Sequence, residues 1–172
     1  MKMATKQDTL LFLRYALPCA KDNLVKRGSW SQSELNEAID SVSMGRVPAG
    51  KVENRFPVAN AMCSAIAEES GKKEVDAAVI REYFLFRHSA VIEQRVENEE
   101  EPEGFDKLAC MTRAGHVLKV GGGFVIVETD LGKKRYKTDF AKGLKGGDAV
   151  AVHFDYVSEK IDERTAKKMQ RL

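Results

Sequence analysis

The sequence has few of the residues that build disulfide frameworks or metal clusters, with three cysteines and three histidines among 172 residues. Cys19, Cys63 and Cys110 are odd in number and far apart. This excludes a disulfide framework and predicts reduced thiols in a cytoplasmic protein. No CxxC or HxxxH spacing occurs, so no closed zinc site is expected.

Long apolar runs are also missing. No stretch of about 18 consecutive apolar residues occurs, so we expect neither a membrane span nor a membrane partner. The glycine-rich segment Gly121–Gly123 lacks the Lys-Ser/Thr ending of a phosphate-binding loop and joins two predicted strands. These absences leave a protein of ordinary composition, 43% hydrophobic and 31% charged, long enough for one domain or two small ones.

Charge is distributed unevenly along the chain. Residues 104–172 carry 14 Lys/Arg and 9 Asp/Glu, a net charge of +5, whereas residues 1–103 carry 14 basic and 17 acidic residues, a net of −3. The change of sign supports two domains and makes the C-terminal half the one expected to meet an anionic partner.

The hydrophobic period divides the chain in the same way. Residues 1–97 have helical periodicity, with a capping box at Ser31 and Glu34 and a first-turn proline at Pro57, and predict a small helical bundle. Residues 98–107 are rich in glutamate and predict a solvated linker. Residues 108–172 alternate in hydrophobicity between glycine turns, with a bulge expected at Gly115. This pattern predicts a small antiparallel, OB-like β-barrel, with the first strand over 107–120 and a single strand after Asp148. Asp162 is expected to cap a terminal helix over 163–172, with Ala166, Met169 and Leu172 on one face. The predicted fold class is therefore α+β.

The segment from Cys110 to Leu172 resembles the HypC/HupF family of hydrogenase-maturation chaperones. The resemblance rests on Cys110 followed by "MTRAG" and "HVLKV", on the hairpin "FVIVETDLGKKRYKTDF", and on Gly147-Asp148 followed by "AVAVHFDYVSEKIDERTAKKM". It covers about 60 residues in an unbroken order. Asp155 and Tyr156 stand where the family has Gly and Phe, and Cys110 is internal where the family's cysteine is N-terminal.

The resemblance implies a function as well as a fold. Members of this family are small barrels that carry an iron centre between partner proteins and the large subunit of nickel–iron hydrogenase. Their functional cysteine and strand histidine correspond to Cys110 and His153. The resemblance therefore implies a non-enzymatic chaperone or adaptor that binds a maturation factor or a hydrogenase-like large subunit, with iron as a transiently carried centre. We expect the two side chains to lie within a few ångströms of each other at an accessible edge.

Other residues are secondary candidates. His116, on the first predicted strand, and Asp155 and Tyr156, directly after His153, are expected near the site. His88 is interpreted as a packing or surface residue of a long helix, and Cys19 and Cys63 as core. A thiol enzyme remains an alternative, in which His153 activates Cys110 and Asp155 orients the histidine.

A nucleic-acid-binding module is the main alternative. It would use a basic hairpin with one interleaved aromatic, because small barrels with basic, aromatic faces bind single strands. The residues of this hairpin are Lys133, Lys134, Arg135, Tyr136 and Lys137.

Overall fold

The computed structural model describes residues 2–101 and 103–171, and it has the α+β architecture predicted from the sequence. Internal contacts divide the chain into two compact units, Met1–Arg87 and His88–Leu172. The first unit is helical, and the second holds the barrel. No helix in the described ranges has both the length and the apolar character that crossing a bilayer requires.

The helical unit is a small bundle. Its α-helices are α1 (Lys6–Ala16), α2 (Gln32–Ser43), α3 (Pro57–Glu69) and α4 (Ala77–Arg81). Short 3-10 turns cover Leu17–Cys19 and Val52–Arg55, and π-helical turns cover Lys21–Val25 and Glu82–Arg87. The capping box is confirmed, because Ser31 and Glu34 exchange side-chain and backbone hydrogen bonds at the start of α2. Pro57 occupies the first turn of α3 as expected.

The barrel unit begins with two helices. They are α5 (His88–Glu97) and the single turn α6 (Lys107–Cys110). Arg95 of α5 pairs with Glu100 and Glu101 of the acidic segment, which folds that segment back onto its helix. Pro102 of the same segment lies outside the described residues. The contacts thus place the division between the units at Arg87 and His88, one helix earlier than the acidic segment suggests.

The five strands close into a barrel in the order β1-β2-β3-β5-β4. They are β1 (Arg113–Gly121), β2 (Phe124–Thr129), β3 (Gly132–Lys137), β4 (Ala149–His153) and β5 (Tyr156–Lys160). All pairs are antiparallel except β3 with β5. The interior is filled by side chains that alternate along the strands, among them Val117, Val125, Val127, Tyr136, Val150, Val152 and Val157.

The strand boundaries differ from those predicted in three places. Residues 107–110 form α6 where a strand was expected, because the Asp106 carboxylate caps the turn by accepting from the Ala109 N–H at 2.9 Å. The segment after Asp148 is a hairpin, β4–β5, and the sequence indicated one strand. The bulge in β1 lies between Val117 and Lys119, beyond Gly115.

The terminal helix is confirmed as α7 (Glu163–Met169), capped by the Asp162 carboxylate. Ala166 and Met169 are buried as predicted, and Leu172 lies outside the described residues. His116 on β1 contacts Glu163 at 3.2 Å, so the first turn of α7 lies beside the outer surface of β1.

Candidate metal centre

Cys110 is held at the end of α6, immediately before the barrel. Its N–H donates to the Asp106 carbonyl at 3.1 Å, and the Asp106 side chain caps the same turn. Three residues later the chain enters β1 at Arg113. A one-turn helix with a capped start therefore fixes the direction in which the thiol leaves the backbone.

His153 is the last residue of β4, where the chain turns into β5. The turn contains Phe154 with a φ of +52°, a left-handed conformation that is uncommon for a side chain of this size. The Phe154 N–H donates to the Ala109 carbonyl at 2.8 Å. This bond ties the hairpin turn to α6 and brings the neighbours of Phe154 and Ala109, His153 and Cys110, close together.

His88 is the third member of the cluster and opens α5. It is buried, and its ring meets the His153 ring edge to face, with centroids 5.1 Å apart and an interplanar angle of 77°. It lies 22 positions before Cys110 and 65 before His153 in the sequence. The barrel unit thus gathers its three ligating side chains from a helix start, a helix end and a strand end.

The ligand atoms of His88, Cys110 and His153 all lie within 4.8 Å of one another. The predicted proximity of Cys110 and His153 is therefore present in the structure. The predicted accessible edge is wrong, because Cys110 is 1% exposed and His153 is fully buried. The Phe154–Ala109 bond joins α6 to the end of β4, and His88 of α5 packs against His153, whereas the sequence suggested an open barrel edge.

Burial determines the charge of His88. Exclusion from water, and secondarily the neighbouring His153, lower the pKa of His88 to about 3. His88 is consequently neutral at physiological pH, which is the form of imidazole that binds metals.

The donor set suits a transition metal. One thiolate and two imidazoles match Zn(II), copper and iron, whereas Mg²⁺ and Ca²⁺ require oxygen ligands. Bond lengths of about 2.0–2.1 Å to nitrogen and 2.3 Å to sulfur place tetrahedral ligand atoms roughly 3.3–3.8 Å apart. Since the ligand atoms here are at most 4.8 Å apart, side-chain movements on the order of 1 Å would bring them to bonding distance.

Two of the secondary candidates lie next to His153, since Asp155 is in the β4–β5 turn and Tyr156 pairs with His153 in register, whereas His116 lies on the outer surface of β1. His116 contacts Glu163 of α7, and Asp155 is exposed and pairs with Lys134 at 2.9 Å. Tyr156 is half-buried and stacks on Phe140, with ring centroids 5.1 Å apart. None of the three belongs to the metal-ligating group that the described residues form.

The basic hairpin is only partly arranged as expected. Tyr136 points into the barrel core, and its burial raises the pKa of the phenol. Lys133 pairs with Glu128 at 3.8 Å, and Lys134 pairs with Asp155. Arg135 lies over the Phe124 ring and Lys137 over the Tyr156 ring, at 3.9 and 5.0 Å from the centroids. Tyr136, the aromatic residue predicted to stack on bases, is therefore inside the barrel. The aromatic rings that the basic side chains cover on the outer face are those of Phe124 and Tyr156.

His88 is buried, in agreement with its interpretation as a packing residue, but the sequence pattern did not identify it as a member of the cluster. The reason is a change of helical phase. Continuous α-helical spacing from Val79 and Tyr83 predicts Phe86 and Ala90 as the next core residues. The π-helical turn Glu82–Arg87 adds a residue to the turn and rotates the next part of the helix, so that His88 and Ile92 are buried and Ala90 is exposed. Such π turns are frequent at functional sites, but nothing in the sequence marks this one.

No protein-family model matches this chain, and a comparison with curated proteins finds no significant match. The similarity of residues 110–172 to hydrogenase-maturation chaperones therefore stays an expectation from the sequence.

Proposed function

We propose that the protein is a non-enzymatic metal-binding adaptor whose His88, Cys110 and His153 hold one transition-metal ion in the barrel unit. The observation that carries this proposal is the convergence of one thiol and two imidazoles within 4.8 Å. Three such side chains from distant parts of the sequence require a specific fold to meet. Burying polar side chains is costly, and a bound metal would offset that cost for all three at once.

The number of ligands and their burial favour a resident ion over a transient cargo. A carrier needs an open shell that a partner can complete and later empty. Here a second histidine adds to the pair that the family resemblance implies, and water has almost no access to Cys110 or His153. A third ligand and a dry surrounding both slow metal release, so we propose that the ion is retained. Zinc, copper and iron all suit the donors, and iron is the metal that the resemblance favours.

The surroundings of the thiol support an adaptor more than a thiol enzyme. Nucleophilic catalysis by Cys110 would need substrate access and a carboxylate that orients His153. Asp155, the carboxylate considered for that role, is engaged with Lys134 at the surface. Cys110 itself is 1% exposed.

The partner and the compartment follow from the same proposal. We propose a cytoplasmic protein, because a reducing environment keeps Cys110 available as a thiolate ligand. The partner is a protein that recognises the barrel, and a maturation factor or a hydrogenase-like large subunit is the specific candidate that the resemblance suggests. Metal-dependent capture of such a partner would support this part of the proposal.

The direct test measures metal in the purified protein. Protein purified anaerobically without an affinity metal is analysed by mass spectrometry for zinc, copper and iron, and we expect about one ion per chain. Cys110→Ala, His88→Ala and His153→Ala should each lower the affinity at least about 100-fold, because loss of even an outer-shell partner costs 10–100-fold.

Matched controls separate ligation from folding. Cys63→Ala removes another buried thiol, and His116→Gln removes a histidine of the barrel surface. Both should retain the metal. A wild-type protein that neither contains nor takes up any of the three metals would refute the proposal, as would equal metal loss in the control variants.

A further inference from the structure

The outer face of α7 is strongly cationic. Arg164, Lys167 and Lys168 of α7 and Arg171 in the turn that follows it are exposed, and their spacing of i, i+3, i+4 and i+7 places them on one side. In the described part of the chain, these four side chains line a depression of about 490 Å³. Ala166 and Met169 of the same helix face the barrel. A face with four like charges and no lining acid is expected to attract an anion with several charges.

The adjoining sheet surface adds cations mounted on aromatic rings. Because Val125, Val127 and Tyr136 point inward, the alternate residues of β2 and β3 point outward. Arg135 lies over the Phe124 ring at 3.9 Å on this outer face. The face continues to β1, where His116 pairs in register with Glu128 and contacts the Glu163 carboxylate at the start of α7. The start of α7 therefore lies beside the outer face of β1, and Glu128 and Glu163 are acidic residues at this junction.

The charge on this surface is segregated. Residues 88–172 contain 15 Lys/Arg and 15 Asp/Glu, so the unit has no net charge that would attract polyanions in general. Five of its 15 acidic residues lie within residues 97–103 and nine lie within residues 104–172, but residues 164–172 contain four cations and no acid. A local excess of positive charge on a unit with no net charge directs an anion to one place. A positive charge spread over the whole surface would attract an anion without selecting a site.

We infer that this surface, the cationic face of α7 together with the outer face of β1–β3, binds the phosphate backbone of a nucleic acid. Arginine forms paired hydrogen bonds with phosphate oxygens, and α7 presents two arginines and two lysines along about 10 Å of helix at 1.5 Å per residue. The Arg135 guanidinium over Phe124 offers a flat cationic surface on which an unpaired base can stack. A glutamate-rich protein segment could pair with the cations, but it has no bases that would stack on Arg135 and Phe124. The inference is independent of the metal site.

The test uses the full-length protein and a fluorescein-labelled single-stranded DNA of about 20 nucleotides, long enough to cover one barrel. Binding is followed by anisotropy from about 50 to 200 mM salt, because phosphate contacts give a steep salt dependence. The test variant combines Arg164→Gln, Lys167→Gln, Lys168→Gln and Arg171→Gln. The control combines Lys6→Gln, Lys21→Gln, Lys51→Gln and Lys73→Gln, which removes the same charge from the helical unit.

We expect wild-type protein and the control to bind the oligonucleotide alike. The α7 variant should lose at least about tenfold in affinity and show a shallower salt slope, with an unchanged thermal melt. Absence of binding at about 50 mM salt, or an equal loss in both variants, would overturn the inference. Displacement of the oligonucleotide by poly-glutamate at equal charge concentration would overturn it in favour of an acidic protein partner.

Discussion

The backbone N–H of Phe154 donates a hydrogen bond to the carbonyl of Ala109 at 2.8 Å, and this bond fixes the distance between the two elements that carry Cys110 and His153. Ala109 and Phe154 are the immediate neighbours of the two ligands. Because Phe154 has a φ of +52°, its N–H points toward α6 only while the turn keeps its left-handed conformation. The geometry of the proposed metal site therefore depends on a backbone contact as well as on its candidate ligands.

Replacing Phe154 tests this dependence. Phe154→Pro removes the N–H and imposes a φ near −65°, so it should destabilise the barrel by about 2–4 kcal/mol and weaken metal binding. Phe154→Asn retains the N–H and tolerates the left-handed conformation, so it should preserve the metal affinity. Chemical denaturation and metal titration measure both effects. Full metal affinity in the proline variant would show that the bond does not position the ligands.

Metal binding should also appear as a gain in stability. An ion that binds only the folded state stabilises it by about 2.7 kcal/mol at a free concentration of 100 times its Kd. Thermal melts of metal-free protein should therefore shift upward by several degrees on addition of the metal, and a chelator should reverse the shift. Cys110→Ser keeps a small polar side chain but loses the soft ligand, and its melt should respond little to the metal. A shift of the same size in this variant would place the bound ion elsewhere.

The sequence predicted the two architectural halves and two of the three residues of the proposed metal site, for identifiable physical reasons. Alternating apolar residues such as Val125 and Val127 predict side chains that point into a barrel. The pair Ser31 and Glu34 predicts the start of a helix. These signals are local, and both features are confirmed.

The place of His88 in the cluster could not be predicted from the local sequence pattern. Its burial depends on the phase of the helix after a π turn, and its proximity to Cys110 depends on the packing of α5 and α6. Phe154 is similar, because a left-handed phenylalanine has no sequence signature of the kind that glycine provides. The accessibility of Cys110 and His153 was mispredicted for the same reason, since the elements that cover them were interpreted separately.

Gly115 gives a prediction about barrel closure. At this residue β1 pairs with β4, and a Cβ would lie 2.6 Å from the Glu128 carbonyl oxygen and 2.6 Å from Val127 Cγ1. Backbone cannot move aside as a side-chain end can, so Gly115→Ala should destabilise the barrel by about 1–3 kcal/mol. Gly122→Ala is the matched control, because a Cβ there meets nothing within 4 Å. Equal unfolding midpoints in urea for the two variants would contradict this role of Gly115.

The hydrogen bonds of Asp148 should make the stability of the folded protein depend on pH in the acid range. Its carboxylate accepts from the Lys160 ammonium at 2.6 Å and from the Lys145 N–H at 2.9 Å, and these bonds lower the pKa of Asp148 below 3.8. A carboxyl group whose pKa is lower in the folded than in the unfolded state contributes stability above the unfolded pKa. That contribution is lost as the pH falls through the folded value. Asp148→Asn should therefore be less stable than wild type near neutral pH, and the difference should shrink below about pH 4. Lys160→Gln removes the largest cause of the shift and should reproduce most of this behaviour in unfolding curves measured across that pH range. A stability difference for Asp148→Asn that stayed constant down to the acid limit would show that the ionised carboxylate contributes nothing.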